Sequence, residues 1–204
     1  MSTLPSPAPE DPVPLVSSWL AEIVASGRLK NPNAMALATS DRAGAPSVRM
    51  VLLKEIAPAG YAVFFTNYQS RKGAELDENP RAAAVLYWEP LGRQVRVEGT
   101  VEKITDALSD AYFHARARGS QIAAWASRQS RAADAGERED LDRRWAETEE
   151  HFEGREVKRP PHWGGYRIKP DAIEFWESRP NRLHDRVRFE ATTDGEWRVT
   201  RLDP

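Results

Sequence analysis

The chain has 204 residues, 29 Lys plus Arg against 31 Asp plus Glu, a formal net charge of −2, and no cysteine. That length suits one domain whose core is large enough to stand without disulfide or metal staples. The missing cysteines exclude disulfides, thiolate catalysis, iron–sulfur clusters and cysteine-based zinc sites, and the near-neutral balance argues against a nucleic-acid binder.

Residues 1–14 carry five prolines and no Lys or Arg. They lack the basic start and apolar stretch of a signal peptide and read as a mobile arm ahead of a single domain, 15–204. No apolar run approaches the ~20 residues of a membrane span, so the expectation is a cytoplasmic protein with no membrane partner. Residues 15–26 have helical spacing, with Leu15, Val16, Trp19, Leu20 and Ile23 on one face, and Gly27 offers a stop. The period then changes to that of strands, predicted over 35–39, 48–54 and 61–66, with a turn rich in Asp, Gly and Pro at 41–46. A short helix is predicted over 70–79, closed by Pro80, and another strand over 82–88.

Residues 94–104 alternate cleanly: Val95, Val97 and Val101 face one way, Gln94, Arg96, Glu98 and Glu102 the other. The middle of the chain is helical, with candidates at 106–118, 120–127 and a charged stretch at 137–152. Strand patterns return at 165–168, 173–176, 183–189 and 197–202. Seven or eight strands with a helical insertion predict an α+β fold built on a small antiparallel barrel.

The usual nucleotide loops, G-x-G-x-x-G and G-x-x-x-x-G-K-[ST], are missing, as is the G-x-S-x-G elbow. The four histidines, His114, His151, His162 and His184, show no metal-ligand spacing. Four polar groupings remain. Ser70-Arg71-Lys72-Gly73 opens a predicted helix, where free N–H groups, the dipole and two cations would hold a phosphate; it also reads as an exposed basic helix start. Arg49 and Lys54 bracket the apolar Met50-Val51-Leu52-Leu53, either as surface charges or flanking a flat ligand. Tyr112, Arg116 and Ser120 follow at i, i+4 and i+8, one stripe if the helix is continuous; Gly119 could instead break it and leave Ser120 to start the next. A phenol, a guanidinium and a hydroxyl could converge on one phosphate, or form an ordinary polar face. In Arg182-Leu183-His184-Asp185-Arg186, an extended strand would point Arg182, His184 and Arg186 the same way, toward an anionic ligand or as a protective charged edge.

Seven stretches in order, RMVLLK (49–54), FFTNYQSRKG (64–73), RQVRVEG (93–99), YFHARARGSQIAAWASRQS (112–130), WGGYRIKP (163–170), EFW (174–176) and RLHDR (182–186), resemble the pyridoxine/pyridoxamine 5′-phosphate oxidase family. The resemblance implies an antiparallel split β-barrel working as a homodimer, with FMN in clefts between the subunits. It implies that Arg49, Met50, Val51, Leu52, Leu53 and Lys54, with Phe65, Thr66, Arg71, Lys72 and Gln94, hold FMN, joined by Gln129, Ser130, Trp176 and Arg186. Lys54, Tyr112, Arg116 and Ser120 would take the phosphate of a pyridine substrate, and Arg182 and His184, the implied catalytic pair, would contact its ring and reacting carbon. The implied reaction passes hydride from the substrate to FMN and then reduces O2 to hydrogen peroxide, leaving pyridoxal 5′-phosphate. Two alternatives share this fold: an oxidase of a non-phosphorylated substrate, such as a phenazine-pathway enzyme, and a non-catalytic flavin-binding protein. The chain departs from the family's frequent pattern in having Phe65 for Tyr, Ala115 and Ala117 around Arg116, Glu177-Ser178 after the EFW tryptophan, and Asn31 before Pro32.

Overall fold

Alternating apolar side chains build the body of the protein from one antiparallel sheet. The computed structural model describes residues 4–56, 62–132 and 137–204. In chain order the elements are α1 (Val13–Ser26), β1 (Ala34–Ser40), β2 (Pro46–Leu52), β3 (Glu55–Ile56), β4 (Ala62–Asn67), α2 (Arg71–Glu78), β5 (Arg81–Trp88), β6 (Arg93–Lys103), α3 (Asp106–His114), α4 (Arg118–Ala126), α5 (Glu137–His151), β7 (Trp163–Glu177), β8 (Asp185–Ala191) and β9 (Trp197–Leu202). The strands run in the order β2-β1-β5-β6-β7-β4-β3, with β8 paired to β7 and β9 to β8. The sheet curls until β2 approaches β4 without a hydrogen-bonded ladder between them. The result is an α+β half-barrel, open along one seam, in keeping with the predicted fold class.

The concave side carries the core. Met35, Leu37, Phe64, Leu86, Trp88, Val95, Ile168, Ile173, Phe175 and Phe189 are buried there, and α1 closes it with Val16, Trp19 and Ile23. A second, smaller cluster of Phe113, Ile122, Ala124, Phe152, Val157 and Trp163 ties the helices α3 and α4 to the sheet.

The structure corrects three expectations and decides one alternative that the spacing left open. The strands predicted at 165–168 and 173–176 are one strand, β7, whose first part pairs with β4 and whose second pairs with β8 while β6 runs beside both. A register shift at Glu98/Gly99 accommodates Pro170 inside β7, and a bulge is where a strand tolerates proline. The helical stripe through Tyr112, Arg116 and Ser120 is interrupted at residues 115–117, so Ser120 lies in the first turn of α4. Arg182 is not in a strand: Pro180–Arg182 form a 3-10 turn in which Asn181 and Arg182 have φ of 57° and 61°. Arg182, His184 and Arg186 therefore do not share the simple alternation of one strand. In the Pro-rich segment, Leu4 is buried against the main core and Arg201 donates to the Pro5 carbonyl at 3.1 Å, so the described part of that arm, from residue 4, lies on the body; residues 1–3 and Tyr61 are outside the described residues.

The bulge makes a sharp demand on Gly99. A Cβ there would lie 1.9 Å from the Lys169 carbonyl oxygen, so any side chain has to push β6 and β7 apart. Gly99→Ala should lower thermal stability by the ~1–3 kcal/mol typical of overpacking, read by calorimetry at fixed protein concentration as a fall in Tm of roughly 2–12 °C for a domain of this size; an unchanged Tm would show that the bulge is slack.

Candidate functional site

The seam between β2 and β4 opens into a cleft of about 920 Å³. Residues 47–52 of β2, Lys54, the end of β4 and the starts of α2 and α4 line it.

One end is cationic because of how α2 begins. β4 ends at Asn67, and Ser70 caps the helix: its hydroxyl donates to the Asn67 carbonyl at 2.7 Å and accepts the Gly73 N–H. A Cβ at Gly73 would meet the Tyr68 carbonyl oxygen at 1.9 Å, so glycine lets the first turn pack onto the connection before it. That turn carries Arg71 and Lys72 to the cleft. Lys72 is only 5% exposed, yet its Nζ faces oxygens rather than a carboxylate, donating to Ser70 Oγ at 3.0 Å, Thr66 Oγ1 at 3.1 Å and Gln129 Oε1 at 3.3 Å. Burial, and then the neighbouring Arg49 guanidinium, pull its pKa down to about 8 against the opposing pull of Glu75. Ser130 borders the same end with a left-handed φ of 67°.

Arg49 reaches across from β2. It donates to the Leu37 carbonyl at 3.2 Å, to the Thr39 and Ser47 hydroxyls, and to Glu75 at 3.1 Å. Burial alone would raise the Glu75 carboxyl, but hydrogen bonds from Thr39, Ser47, Arg71 and Arg49 outweigh it and bring the pKa down to about 2.

The other end is aromatic with a second set of cations. Tyr112 stacks on Phe65 with centroids 3.9 Å apart, Trp163 lies beside both, and Lys54 Nζ stands 5.4 Å from the Tyr112 centroid. The Arg116 guanidinium lies 4.6 Å from the Trp163 ring centre. Its Nη1 is buried with no hydrogen-bond partner among the described residues, and burial lowers its pKa. A buried guanidinium N–H left unpaired is costly, so the geometry fits an anion that completes it. Ser120 borders this end.

One cleft thus gathers Arg49, Met50, Val51, Leu52, Lys54, Phe65, Thr66, Arg71, Lys72, Tyr112, Arg116, Ser120, Gln129 and Ser130. Leu53 is 2% exposed and packs into the core. Gln94, Trp176, Arg182, His184 and Arg186 do not border the cleft within one chain. Gln94, Trp176 and Arg186 form a row across β6, β7 and β8 on the convex side of the sheet. Trp176 and His184 rings are 4.6 Å apart, and Arg186 donates twice to Glu174, at 3.0 and 2.9 Å. The row continues through Tyr87 on β5, and the same side of the sheet leaves Val48, Met50, Leu52 and Tyr87 40–69% exposed. Sequence reasoning missed Glu75, Thr39, Ser47 and Trp163, none of which stands out without knowing what it touches; only Trp163 lay in a motif, WGG, that carried a signal.

The cationic end predicts its own pH response. Lys72 is charged below about pH 8 and neutral above it, so the ligand-free protein should bind inorganic phosphate more weakly at pH 9.5 than at pH 7.5, by roughly 3- to 10-fold if one charge-assisted hydrogen bond is weakened. A bound anion moves the inflection above 8, because it favours the charged lysine. Calorimetric titration should show this step in the wild type and not in Lys72→Met; a flat wild-type profile would remove Lys72 from the anion site.

Known proteins match this arrangement closely. A family model described as pyridoxamine 5′-phosphate oxidase matches residues 22–150, and one described as the pyridoxine 5′-phosphate oxidase C-terminal dimerisation region matches residues 163–204. Proteins named pyridoxine/pyridoxamine 5′-phosphate oxidase are 50% identical in Bordetella pertussis, over 97% of this chain and 91% of that protein, and 52% identical in Rubrobacter xylanophilus, over 97% and 88%. Among solved structures, PhzG from Burkholderia lata, in complex with tetrahydrophenazine-1-carboxylic acid, superposes with a TM-score of 0.88 at 33% identity, covering 96% of this chain and 94% of that one. An FMN-binding protein from Nostoc punctiforme shares the fold, at a TM-score of 0.75 and 14% identity over 95% of this chain and 98% of that one. With matches running through both halves of the cleft and over most of its length, the chain belongs to the pyridoxine/pyridoxamine 5′-phosphate oxidase family.

Proposed function

We propose that this chain is an FMN-dependent oxidase that converts pyridoxine 5′-phosphate or pyridoxamine 5′-phosphate to pyridoxal 5′-phosphate. The observation that carries this reading is the pairing of two separate cationic ends within one cleft, Arg49, Arg71 and Lys72 at one and Lys54 and Arg116 at the other, with aromatic side chains at the second. A flavin with a phosphate tail and a substrate with its own phosphate need two anion sites. The relatives at about 50% identity carry the names of such oxidases.

FMN fits the residues present: Arg49, Arg71, Lys72, Gln129 and Ser130 would hold its phosphate, and residues 50–52 with Phe65 and Thr66 would flank the ring. When bound, it supplies two-electron oxidation, with hydride leaving the substrate's C4′ carbon and the electrons going on to O2 to give hydrogen peroxide. The rest falls to the chain. Arg116, held over the Trp163 ring, presents its unpaired Nη1 to the substrate phosphate, with Lys54, Tyr112 and Ser120 around it. This grip fixes the substrate's position, which is the chief thing the protein can add to a reaction whose redox chemistry is the cofactor's.

The second half of the site comes from a partner copy. Gln94, Trp176 and Arg186 sit on the convex side with His184 beside Trp176, and Trp176, Arg182, His184 and Arg186 lie within the segment that matches the family's dimerisation region. The exposed apolar row of Val48, Met50, Leu52 and Tyr87 on that side is the surface a second copy would cover. In this homodimer Arg182 lies over the substrate. His184 Nδ1 accepts the Arg179 backbone N–H at 3.1 Å, which leaves Nε2 as the N–H of the neutral ring. That tautomer suits His184 to donating to the substrate's polar group, not to removing a proton from it. The strained backbone at Asn181 and Arg182 fits a segment shaped for a ligand.

Among the described residues no helix is long and apolar enough to cross a membrane, and a cysteine-free chain suits the reducing cytoplasm in which we place this oxidase.

The phosphate grip separates this reading from that of a phenazine-type oxidase. Pyridoxine and pyridoxamine phosphates should bleach the bound flavin anaerobically, whereas the unphosphorylated vitamers should not at the same concentration; equal bleaching would discard the phosphorylated substrate. Arg116→Ala should raise KM about 10- to 100-fold, the scale of a lost hydrogen bond to a charged group, with kcat little changed. Arg182→Ala should lower kcat as well, and steady-state kinetics that leave kcat intact would remove it from the reacting centre.

A further inference from the structure

Glu75 is a buried carboxylate to which the site as described gives no task. It lies on α2 one turn beyond Arg71, 5% exposed, and does not border the cleft. Removing a carboxylate from water is costly unless its partners compensate, and the side chains that bond Glu75 are Arg71, Arg49 and Ser47, which border the anion end, and Thr39, which bonds Arg49 in turn. Its oxygens accept from Arg71 Nε at 2.8 Å, from Arg49 Nη2 at 3.1 Å, from Ser47 Oγ at 2.7 and 2.9 Å, and from the Thr39 hydroxyl. Thr39 and Ser47 accept in turn from the Arg49 guanidinium, so the carboxylate and both hydroxyls form one brace around that side chain.

The brace matters differently for the two arginines. The Arg49 side chain is 20% exposed and also held by the Leu37 carbonyl, whereas that of Arg71 is 61% exposed and Glu75 is the only ion-pair partner it has among the described residues. Without Glu75, Arg71 would wave in solvent and lose its rotamer freedom only on binding a ligand. The charge balance that remains still fits a phosphate. Arg49, Arg71 and Lys72 bring three positive charges to this end and Glu75 removes one, leaving two, which matches a phosphate monoester in its dianionic form.

We propose that Glu75 is a positioning residue for the flavin phosphate, pre-setting the Arg49 and Arg71 guanidiniums at the mouth of α2. This rests on the FMN reading above. It makes a prediction opposite to bare electrostatics. A carboxylate near a phosphate repels it, so on charge alone removing Glu75 tightens FMN; if positioning governs, removing it loosens FMN.

The test strips flavin from purified holoenzyme and titrates FMN and riboflavin back by fluorescence quenching. In Glu75→Leu, Kd for FMN should rise about 10-fold or more, as expected when charge-assisted anchors are lost from two arginines, while Kd for riboflavin, which lacks the phosphate, stays within about 2-fold by the same reasoning. Glu75→Gln keeps the shape and one acceptor oxygen, so it should shift the FMN-to-riboflavin ratio in the same direction by less; if the leucine variant does not fold, this variant decides alone. FMN bound as tightly or more tightly in either variant overturns the proposal, as does parallel weakening of both flavins, which would mean simple structural damage. A wild-type chain that takes up neither flavin would sink the FMN reading itself, and this inference with it.

Discussion

Cations must be held ready inside a protein before the anion that neutralises them arrives, and the architecture of the cleft follows from that constraint. The chain meets it in three ways. Lys72 is buried among a serine, a threonine and a glutamine oxygen, which solvate its ammonium without cancelling its charge. Arg49 and Arg71 are braced by one carboxylate that leaves the end of the cleft net positive. Arg116 lies over the Trp163 ring, a cation–π contact that holds the guanidinium while its Nη1 stays unpaired among the described residues. The first and third of these cost stability in the empty protein, seen in the lowered pKa of Lys72 and the unpaired Arg116 nitrogen. Preorganised charge of this kind is what makes a site effective once filled.

The sheet provides the rigidity these devices require. β7 is the common member: it carries Trp163 at one end, under Arg116, and Trp176 at the other, beside His184. The small cluster around Phe113, Ile122 and Trp163 locks α3 and α4 to that strand, and so fixes Tyr112, Arg116 and Ser120, which sit on two helices and the link between them. Because β2 and β4 approach without pairing, their edges leave a slot open for a flat ligand where a closed barrel would have none.

In the proposed dimer the two faces of one sheet serve two different sites. The edge toward the cleft would grip phosphates, and the convex side, with Gln94, Trp176 and Arg186 in a row, would complete the cleft of the other copy. The similarity to PhzG at 33% identity shows that this scaffold is shared with a protein that binds a phenazine carboxylic acid. What separates such proteins has to lie in the groups that meet the substrate, and here those groups are the ones suited to a second phosphate.

Much of this was legible in the sequence. Period-two alternation in residues 94–104 and period-3.6 spacing in 15–26 reflect which faces are buried, and burial is what the sheet and α1 rest on. The motif residues Arg71 and Lys72, Tyr112 and Arg116 were identifiable because charge and spacing are local properties, and the tertiary fold put them into one cleft. Local signals misled where long-range pairing overrode them: Pro170 sits inside a strand because β6 shifts register beside it, and Arg182 leaves the strand pattern for a strained turn. Glu75 carried no signal at all, since an acidic residue on a short charged helix looks like any solvated one until Thr39, Ser47 and Arg49 arrive from strands 26 to 36 positions away. The sequence by itself determined the elements, the family and the chemical types available. Which charges face one another, which are buried and which half of the site each chain face can offer was decided only by the tertiary structure, because those depend on contacts between residues far apart in the chain.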